Sequence, residues 1–277
     1  MFSTDEWTGR TGDVWADEWR RTDRSFDGLS DHLNAAILAV APASGRAVDL
    51  GCGAGATSMA LAIARPDLAV TGLDISPGLV AVAQQRGQGI ANLQFKMADT
   101  GMLRSDVAPD LLVSRHGVMF YPNPVAAFTT IRAASRPGAT LVFSCFRDRG
   151  ANVWALLSDA LVGAPAPQPS GYVPGPFAFA DRTFVTDLLT DSGWTNVAAD
   201  PIDYTYVAGQ GEDPVADAAD FCRRIGPVAR SIAEQPADRR PELFERLKEL
   251  LARNLTGDAV TFPAAAWIWT ATNGDPQ

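Results

Sequence analysis

A glycine-rich turn between a predicted strand and a predicted helix constrains this chain more than any other stretch. The apolar segment 47–50 runs into glycines at positions 51, 53 and 55, and a helical pattern begins at Ala56. Because glycines carry no side chain, a ligand can approach the backbone there and meet the unpaired N–H groups at the start of the helix. The turn therefore predicts a binding loop for a nucleotide-containing cofactor.

Short apolar strands and amphipathic helices alternate on both sides of this turn. Such alternation predicts an α/β fold in which a parallel sheet has helices on both faces. The predicted strands are 47–50, 69–73, 93–97, 110–114 and 140–145, and the predicted helices between them are 56–64, 77–86 and 124–135.

The rest of the chain is less regular, and we expect one domain over residues 1–277. It divides into an N-terminal helical arm (1–30), a cofactor-binding core (31–149), a proline-rich lid insertion (150–180) and a C-terminal part (181–277) with a helical cap insertion at 209–258. Ser30-Asp31 predicts the start of a helix that ends near Ala41. Trp15 and Trp19 are four residues apart, so one helix face would carry both, either as packing residues or as part of a flap over a ligand.

Composition excludes several classes of protein. The net charge of −9 argues against nucleic-acid binding, which needs a basic surface. The three cysteines are widely spaced and form no metal-ligand motif, so we expect no metal and a reducing cytoplasm. The sequence contains no apolar run of about 18 residues, so we expect no membrane span. The expected partner is a small molecule, and the chain is expected to be a monomer or homodimer.

Two cofactor chemistries compete for the glycine turn. Gly51, Gly53 and Ala56 satisfy the dinucleotide pattern, with an acidic residue, Asp74, about 20 positions further on. Asp49 before the turn, and a carboxylate after the third strand at position 99, favour S-adenosylmethionine instead. That cofactor presents an ammonium group, a ribose diol and an adenine amino group, which three carboxylates at successive strand ends can bind or organise.

Four motifs resemble class I S-adenosylmethionine-dependent methyltransferases: Asp-Leu-Gly-Cys-Gly-Ala-Gly at 49–55, Gly-Leu-Asp-Ile-Ser-Pro at 72–77, Ala-Asp at 98–99 and Arg-Pro-Gly at 136–138. The segment 114–143 is most similar to the ubiquinone/menaquinone-biosynthesis-type small-molecule branch. The resemblance is strong over 40–147. It implies a Rossmann-like seven-stranded, mostly parallel sheet with an antiparallel last hairpin, formed here by 195–207 and 264–272.

The resemblance also implies which residues contact the cofactor. Asp49 is expected to organise the methionine amino group, Asp74 to bind both ribose hydroxyls, and Asp99 to meet the adenine amino group. Ser114 and Arg115 are expected to border the methionine and the reacting methyl group. The complete predicted set of cofactor residues is Asp49, Gly51, Cys52, Gly53, Asp74, Ile75, Ala98, Asp99, Ser114 and Arg115.

Candidate acceptor-side residues are fewer. His116 follows the fourth strand on the expected ligand side, so it is either a general base or a residue that packs on the cofactor or makes a structural hydrogen bond. Tyr121 either lines the acceptor pocket or belongs to the core. The aromatic residues expected to line a substrate pocket are Trp15, Trp19, Tyr172, Phe177 and Phe179.

These features predict a cytoplasmic methyltransferase of small-molecule biosynthesis. It would transfer a methyl group from S-adenosylmethionine by in-line displacement to an oxygen, nitrogen or carbon atom of a partly apolar or aromatic molecule, and release S-adenosylhomocysteine. One alternative is a homologue that binds the cofactor without methylating. An NAD(P)-dependent oxidoreductase is a weaker alternative, since the chain has no Tyr-x-x-x-Lys pair and its two lysines, Lys96 and Lys248, are badly placed for hydride chemistry.

Overall fold

A computed structural model of the chain describes residues 4–104, 106–165 and 171–274. Over these residues one sheet contains eight strands: β1 (Gly45–Leu50), β2 (Leu68–Asp74), β3 (Leu93–Met97), β4 (Leu111–Arg115), β5 (Thr140–Phe146), β6 (Thr195–Gln210), β7 (Leu255–Thr256) and β8 (Ala259–Thr272). The order is β3-β2-β1-β4-β5-β8-β6, with β7 paired to β8.

Strands β1 to β5 pair in parallel, whereas β8 lies antiparallel between β5 and β6. This confirms the predicted α/β class, the mostly parallel sheet and the antiparallel last hairpin. The sheet differs from the expected seven strands by the two-residue β7. The middle of the sheet is buried on both faces, as Leu111, Leu112 and Val113 of β4 show with 0% exposure. A continuous apolar run of this kind is what a parallel central strand requires.

The helices of the described residues are α1 (Thr4–Thr8), α2 (Arg10–Asp17), α3 (Trp19–Val40), α4 (Ala56–Ala64), α5 (Pro77–Arg86), α6 (Pro124–Ala134), α7 (Val153–Val162), α8 (Arg182–Asp191), α9 (Pro214–Cys222), α10 (Gly226–Ala233) and α11 (Arg240–Ala252). Local capping explains where several begin. Ser76 accepts a hydrogen bond from Leu79 N and precedes a proline at the first turn of α5, and Asn123 caps α6 in the same way.

The predicted helix start at Ser30-Asp31 is wrong, because α3 runs without a break from Trp19 to Val40. The buried face of α3 carries apolar side chains three and four residues apart on both sides of residue 30: Phe26, Leu29, Leu33 and Ile37. Packing of this stripe on the sheet overrides the local cap signal. The boundary predicted between the arm and the core therefore falls inside one helix.

The region after β5 contains the predicted lid and the predicted helical cap. Helix α7 ends at Val162, and Gly163, which caps its C-terminus, has a left-handed φ of 76°. Part of the predicted lid, residues 166–170, lies outside the described residues, so the lid stays a prediction. Helices α9 to α11 lie between β6 and β7, within the range predicted for the helical insertion.

Candidate cofactor and acceptor site

The turn between β1 and α4 needs glycine for different reasons at each position. Gly51, Gly53 and Gly55 have φ values of 67°, 53° and 85°, a region that side chains with a Cβ disfavour. A Cβ at Gly55 would lie 2.6 Å from the Phe95 ring, and one at Gly51 would lie 3.1 Å from Cα of Gly117. No atom lies within 4 Å of a Cβ built at Gly53. The backbone beside Gly53 is therefore open to a ligand.

Asp74, the last residue of β2, fixes the shape of this turn. One carboxylate oxygen accepts a hydrogen bond from Gly53 N at 2.8 Å, and the other accepts one from Ser76 N at 2.9 Å. Burial raises the pKa of the Asp74 carboxyl, while these backbone hydrogen bonds act in the opposite direction. Because β2 pairs with β1 in parallel, the Asp74 carboxylate at the end of β2 lies beside the turn that follows β1 and stabilises that turn.

Asp49 and Ser114 lie behind the turn rather than in the wall of the cavity next to it. Asp49 accepts a hydrogen bond from Ser58 Oγ at 2.6 Å through one oxygen, whereas its Oδ1 is buried without a hydrogen-bond partner. Burial raises the pKa of Asp49 to about 6, partly opposed by Ser58 and by the charge of Arg115. Ser114 donates its hydroxyl hydrogen bond to Leu50 O at 2.7 Å, so it ties β4 to the start of the turn.

A cavity of about 260 Å³ opens beside the turn. The structure brings together most of the predicted cofactor residues in its wall: Gly51, Cys52 and Gly53 of the turn, Asp74 and Ile75 at the end of β2, Ala98 and Asp99 after β3, and Arg115 at the end of β4. Asp99 is exposed at this wall and also accepts a hydrogen bond from Gly101 N at 2.9 Å, which caps a short 3-10 turn.

Helices α1 and α2 of the N-terminal arm form part of the cavity wall. Trp7, Trp15 and Trp19 all line the cavity, with the Trp7 and Trp15 ring centroids 5.7 Å apart. A Cβ at Gly12 would collide with the Trp7 carbonyl oxygen and with Ser76 Oγ, so a glycine permits α2 to lie against the first turn of α5. The predicted aromatic pair therefore contributes to the cavity, although Trp15 and Trp19 lie in separate helices.

Asp23 of α3 joins this arm to the core. Its two carboxylate oxygens bind Arg115 at 2.6 Å and Arg86 at 2.8 Å. Arg86 also donates to Ala54 O at 2.6 Å, and its guanidinium lies 3.8 Å from the centre of the Trp19 ring. Asp23 thus connects α3 directly to the end of β4 and to α5, and through Arg86 to the glycine turn.

His116 lines the cavity in a left-handed backbone conformation that is uncommon for residues other than glycine, with φ of 58°. Its Nδ1 lies 2.9 Å from Ser144 Oγ, while Nε2 is buried without a hydrogen-bond partner. Burial, and secondarily the charge of Arg115, lowers the pKa of His116 to about 3. The imidazole is therefore neutral at physiological pH.

Tyr121 also lines the cavity and is only 8% exposed, so both expectations for it, pocket and core, describe its position. Its hydroxyl shares a 2.8 Å hydrogen bond with Thr100 Oγ1. Burial raises the pKa of the Tyr121 hydroxyl, which stays protonated. Tyr172 donates its hydroxyl to the Tyr121 carbonyl oxygen at 2.6 Å, so Tyr172 braces this segment from outside the cavity wall.

Phe177 and Phe179, which were also predicted to line the substrate pocket, are not in the cavity wall. Phe179 is a core residue, fully buried, with its ring centroid 6.2 Å from that of Phe128. Phe177 stacks on Trp154 with the ring centroids 5.9 Å apart. Pro176 is the residue of this segment that lines the cavity. Phe177 and Phe179 follow a loop rich in proline and glycine, and large apolar side chains of this kind are most often buried in the core.

Most of the aromatic residues in the cavity were not predicted from the sequence. We call one group of lining side chains the aromatic wall; it comprises Phe26, His116, Phe146, Trp154, Tyr206 and Phe221. These residues belong to α3, the loop after β4, the end of β5, α7, β6 and α9. Apart from His116, which follows a predicted strand, no local signal marks these residues, because only the tertiary structure brings such distant elements together.

The described residues contain neither a candidate metal centre nor a helix that could cross a membrane. Over 4–104, 106–165 and 171–274, no three His, Cys, Asp or Glu side chains are grouped so that they could hold a metal ion. Within the same ranges, every helix is too short or too polar to cross a membrane.

Known proteins resemble this chain in sequence and fold. Residues 43–162 match the family model described as a methyltransferase domain. A trans-aconitate 2-methyltransferase of Variovorax paradoxus is 30% identical over 182 residues, which is 64% of this chain and 65% of the relative. A second protein of that name, from Methylobacterium nodulans, is 36% identical over 109 residues, which is 39% of this chain and 40% of the relative.

A solved structure of phosphoethanolamine N-methyltransferase 2 from Haemonchus contortus, in complex with S-adenosyl-L-methionine, has a TM-score of 0.57. It is 15% identical, and the match covers 100% of this chain and 61% of that one, so it shows the fold. The chain spans 65% and 40% of the length of the two sequence relatives. Taken together with the glycine turn and sheet described above, these matches support a methyltransferase domain over residues 43–162, on the fold of class I S-adenosylmethionine-dependent methyltransferases.

Proposed function

We propose that this chain transfers a methyl group from S-adenosylmethionine to an oxygen, nitrogen or carbon atom of a small, partly apolar or aromatic molecule, and releases S-adenosylhomocysteine. The observation that carries the proposal is one continuous cavity, whose wall includes both the glycine turn and the aromatic wall. A methyl donor and an acceptor can therefore share one space. The names of the sequence relatives support methyl transfer to a small molecule.

The residues present fit S-adenosylmethionine. The backbone at Gly53 is open to a ligand, Asp49 Oδ1 is buried without a partner, and Asp74 and Asp99 line the same cavity. When bound, the cofactor supplies an electrophilic methyl group on a sulfonium. We assign the amino-acid part of the cofactor to Gly51, Cys52 and Gly53, with Asp49 acting electrostatically from behind.

The nucleoside part is assigned to the residues that follow β2 and β3. Asp74 would bind the ribose hydroxyls while its hydrogen bond to Gly53 keeps the turn in place. Ile75 and Ala98 would contact the adenine ring, and Asp99 its amino group. Arg115 borders the methionine part, although Asp23 already binds its guanidinium.

His116 suits hydrogen bonding better than base catalysis. A general base works best when its pKa lies near the operating pH, and the pKa of about 3 puts His116 far below that range. A neutral imidazole that is held by Ser144 can orient an acceptor group through Nε2. Catalysis would then depend on placing the acceptor and on excluding water, which the apolar cavity wall favours.

The cellular setting is part of the proposal. The free thiols of Cys52, Cys145 and Cys222 suit a reducing cytoplasm. We assign the chain to small-molecule biosynthesis without nucleic-acid partners, as a monomer or homodimer. Membership of the ubiquinone/menaquinone-type branch stays a prediction that rests on the segment 114–143.

Calorimetry with S-adenosylhomocysteine, followed by transfer of labelled methyl groups to a panel of phenols, amines and carboxylates, tests the proposed function. We expect binding of the cofactor product and transfer to at least one acceptor. Binding without transfer across the panel would favour a non-methylating homologue. No binding of S-adenosylhomocysteine, combined with binding of NAD(P)H, would favour the oxidoreductase.

The pKa of Asp49 predicts a pH dependence of cofactor binding. Affinity for S-adenosylhomocysteine is expected to fall as the pH is lowered from 7.5 to 5, because protonation near pH 6 removes the negative charge behind the turn. Calorimetry across this range measures it, with Asp49→Asn as a variant that should bind weakly and show a flat profile. Tighter binding at low pH in the unsubstituted protein would contradict the assignment.

The same carboxyl has the opposite effect on the unliganded protein. Its pKa is higher in the folded state than the ordinary aspartate value of 3.8, so the folded state binds more protons between that pH and about 6. The contribution of Asp49 to the free energy of unfolding therefore increases as the pH falls through this window. A cationic group of a ligand bound near Asp49 would offset the free-energy cost of keeping this buried carboxyl charged.

A further inference from the structure

The cavity has two chemically different halves, which follow from the sheet order. The turn after β1 and the residues after β2 and β3 line one half, and the aromatic wall lines the other. Neighbouring rings of the aromatic wall are in contact: the centroid distances are 4.8 Å for Phe26–His116, 4.2 Å for His116–Phe146, 5.1 Å for Phe146–Trp154 and 5.1 Å for Trp154–Tyr206. If the first half holds the cofactor, the second holds the acceptor.

Positive charge is scarce in this cavity. Among the described residues that line it, Arg115 is the one Lys or Arg side chain, and Asp23 binds its guanidinium at 2.6 Å. Three carboxylates, those of Asp23, Asp74 and Asp99, line the same cavity. The residues outside the described ranges include no lysine, arginine or histidine. An acceptor with several carboxylates would therefore lose its hydration without gaining a free cation, which is costly in a buried site.

Unpaired polar atoms occur in the aromatic wall. Trp154 Nε1 and His116 Nε2 are both buried and have no hydrogen-bond partner. An indole N–H can only donate, so the partner of Trp154 must be an acceptor atom such as a hydroxyl, ether or carbonyl oxygen. Buried polar groups without partners are rare in folded proteins and need an explanation, which an acceptor molecule bound in this cavity would supply for these two atoms.

We infer that the acceptor is an uncharged, ring-containing molecule with hydrogen-bonding oxygens, bound against the aromatic wall, and that polycarboxylates such as trans-aconitate are excluded by the pairing of Arg115 with Asp23. This inference rests on the proposed function and narrows its substrate class. The acceptor inferred for this chain therefore differs from trans-aconitate, the acceptor in the names of its sequence relatives.

A matched pair of probes tests the charge preference. In the presence of S-adenosylhomocysteine, 2-naphthol and 2-naphthoate present the same ring system with and without a carboxylate, and calorimetry at pH 7.5 measures both. We expect 2-naphthol to bind at least about 10-fold more tightly, as expected for an unpaired buried carboxylate. Equal or tighter binding of 2-naphthoate, or of trans-aconitate itself, would overturn the inference.

Trp154→Phe tests the hydrogen bond, since it removes the N–H donor and keeps an aromatic ring. We expect an approximately 5-fold loss of 2-naphthol affinity, the usual effect of one hydrogen bond. The matched control is Trp267→Phe: Trp267 lies outside the cavity wall and its Nε1 already donates to Ala180 O at 3.0 Å. Unchanged 2-naphthol affinity in Trp154→Phe would contradict the assigned contact.

Asp23→Asn tests whether the pairing of Asp23 with Arg115 is what excludes carboxylates from the cavity. Removing this negative charge frees the Arg115 guanidinium, so the affinity for 2-naphthoate relative to that for 2-naphthol is expected to rise by about 10-fold. No gain for 2-naphthoate in a folded variant would contradict the role given to the pair. Binding of S-adenosylhomocysteine is measured separately, so failure of the proposed function and failure of this inference give different results.

Discussion

Asp74→Ala is expected to weaken the binding of S-adenosylhomocysteine by about 100-fold or more, since hydrogen bonds to a charged group contribute about 1.5–3 kcal/mol each. The carboxylate accepts hydrogen bonds from Gly53 N and Ser76 N, so its loss removes two restraints on the backbone of the site. It also removes the oxygens assigned to the ribose. Calorimetry measures the affinity, and thermal unfolding shows whether the variant is folded.

The control for this variant is Asp67→Ala, which removes an exposed carboxylate just before the opposite end of β2. We expect its affinity for S-adenosylhomocysteine to stay within about twofold of the unsubstituted protein, because a surface charge away from the site contributes little. Asp74→Asn should also bind weakly, since its amide NH₂ cannot accept from a backbone N–H. If a folded Asp74→Ala variant kept its affinity for S-adenosylhomocysteine, the assignment of the Asp74 carboxylate to the ribose hydroxyls would be wrong.

Asp23→Ala is expected to lower the free energy of unfolding by about 3 kcal/mol, at the lower end of values for breaking a buried ion pair. The two guanidinium groups it binds, those of Arg115 and Arg86, are 13% and 19% exposed, so neither is well solvated once the carboxylate is gone. The melting temperature should fall by about 6–10 °C. Urea unfolding measures the free energy, and scanning calorimetry the temperature.

Asp106→Ala provides the matched control, because the Arg104–Asp106 pair is 82% and 68% exposed. Exposed pairs contribute about 0–1 kcal/mol, so this variant should unfold almost like the unsubstituted protein. A similar loss in both variants would show that the Asp23 bridge does not stabilise the fold more than a surface pair does. Loss of the bridge should also loosen α3, which carries Phe26 and Trp19 of the cavity wall.

Much of the sequence interpretation depended on local signals, and those predictions agree with the structure. The helix that starts at Ala56, the proline-initiated helix at Pro77 and strand β3 have the bounds that were expected. Each is specified by residues within one element: glycines that allow a tight turn, a capping serine, or a short apolar run. The helix boundary at residue 30 failed because a local cap signal competes with the buried stripe of α3, and burial contributes more.

The sequence by itself determined the α/β class, the glycine turn and the carboxylates that follow successive strands, because these are patterns of neighbouring residues. Only the tertiary structure decided the chemistry of the acceptor half of the cavity. The Arg115–Asp23 pair joins residues 92 positions apart, and the aromatic wall draws on six different segments of the chain. Contacts between distant segments depend on how helices pack on the sheet, and no local pattern encodes them. The glycine turn indicates the cofactor, whereas the packing of the helices determines which side chains line the half of the cavity that we assign to the acceptor.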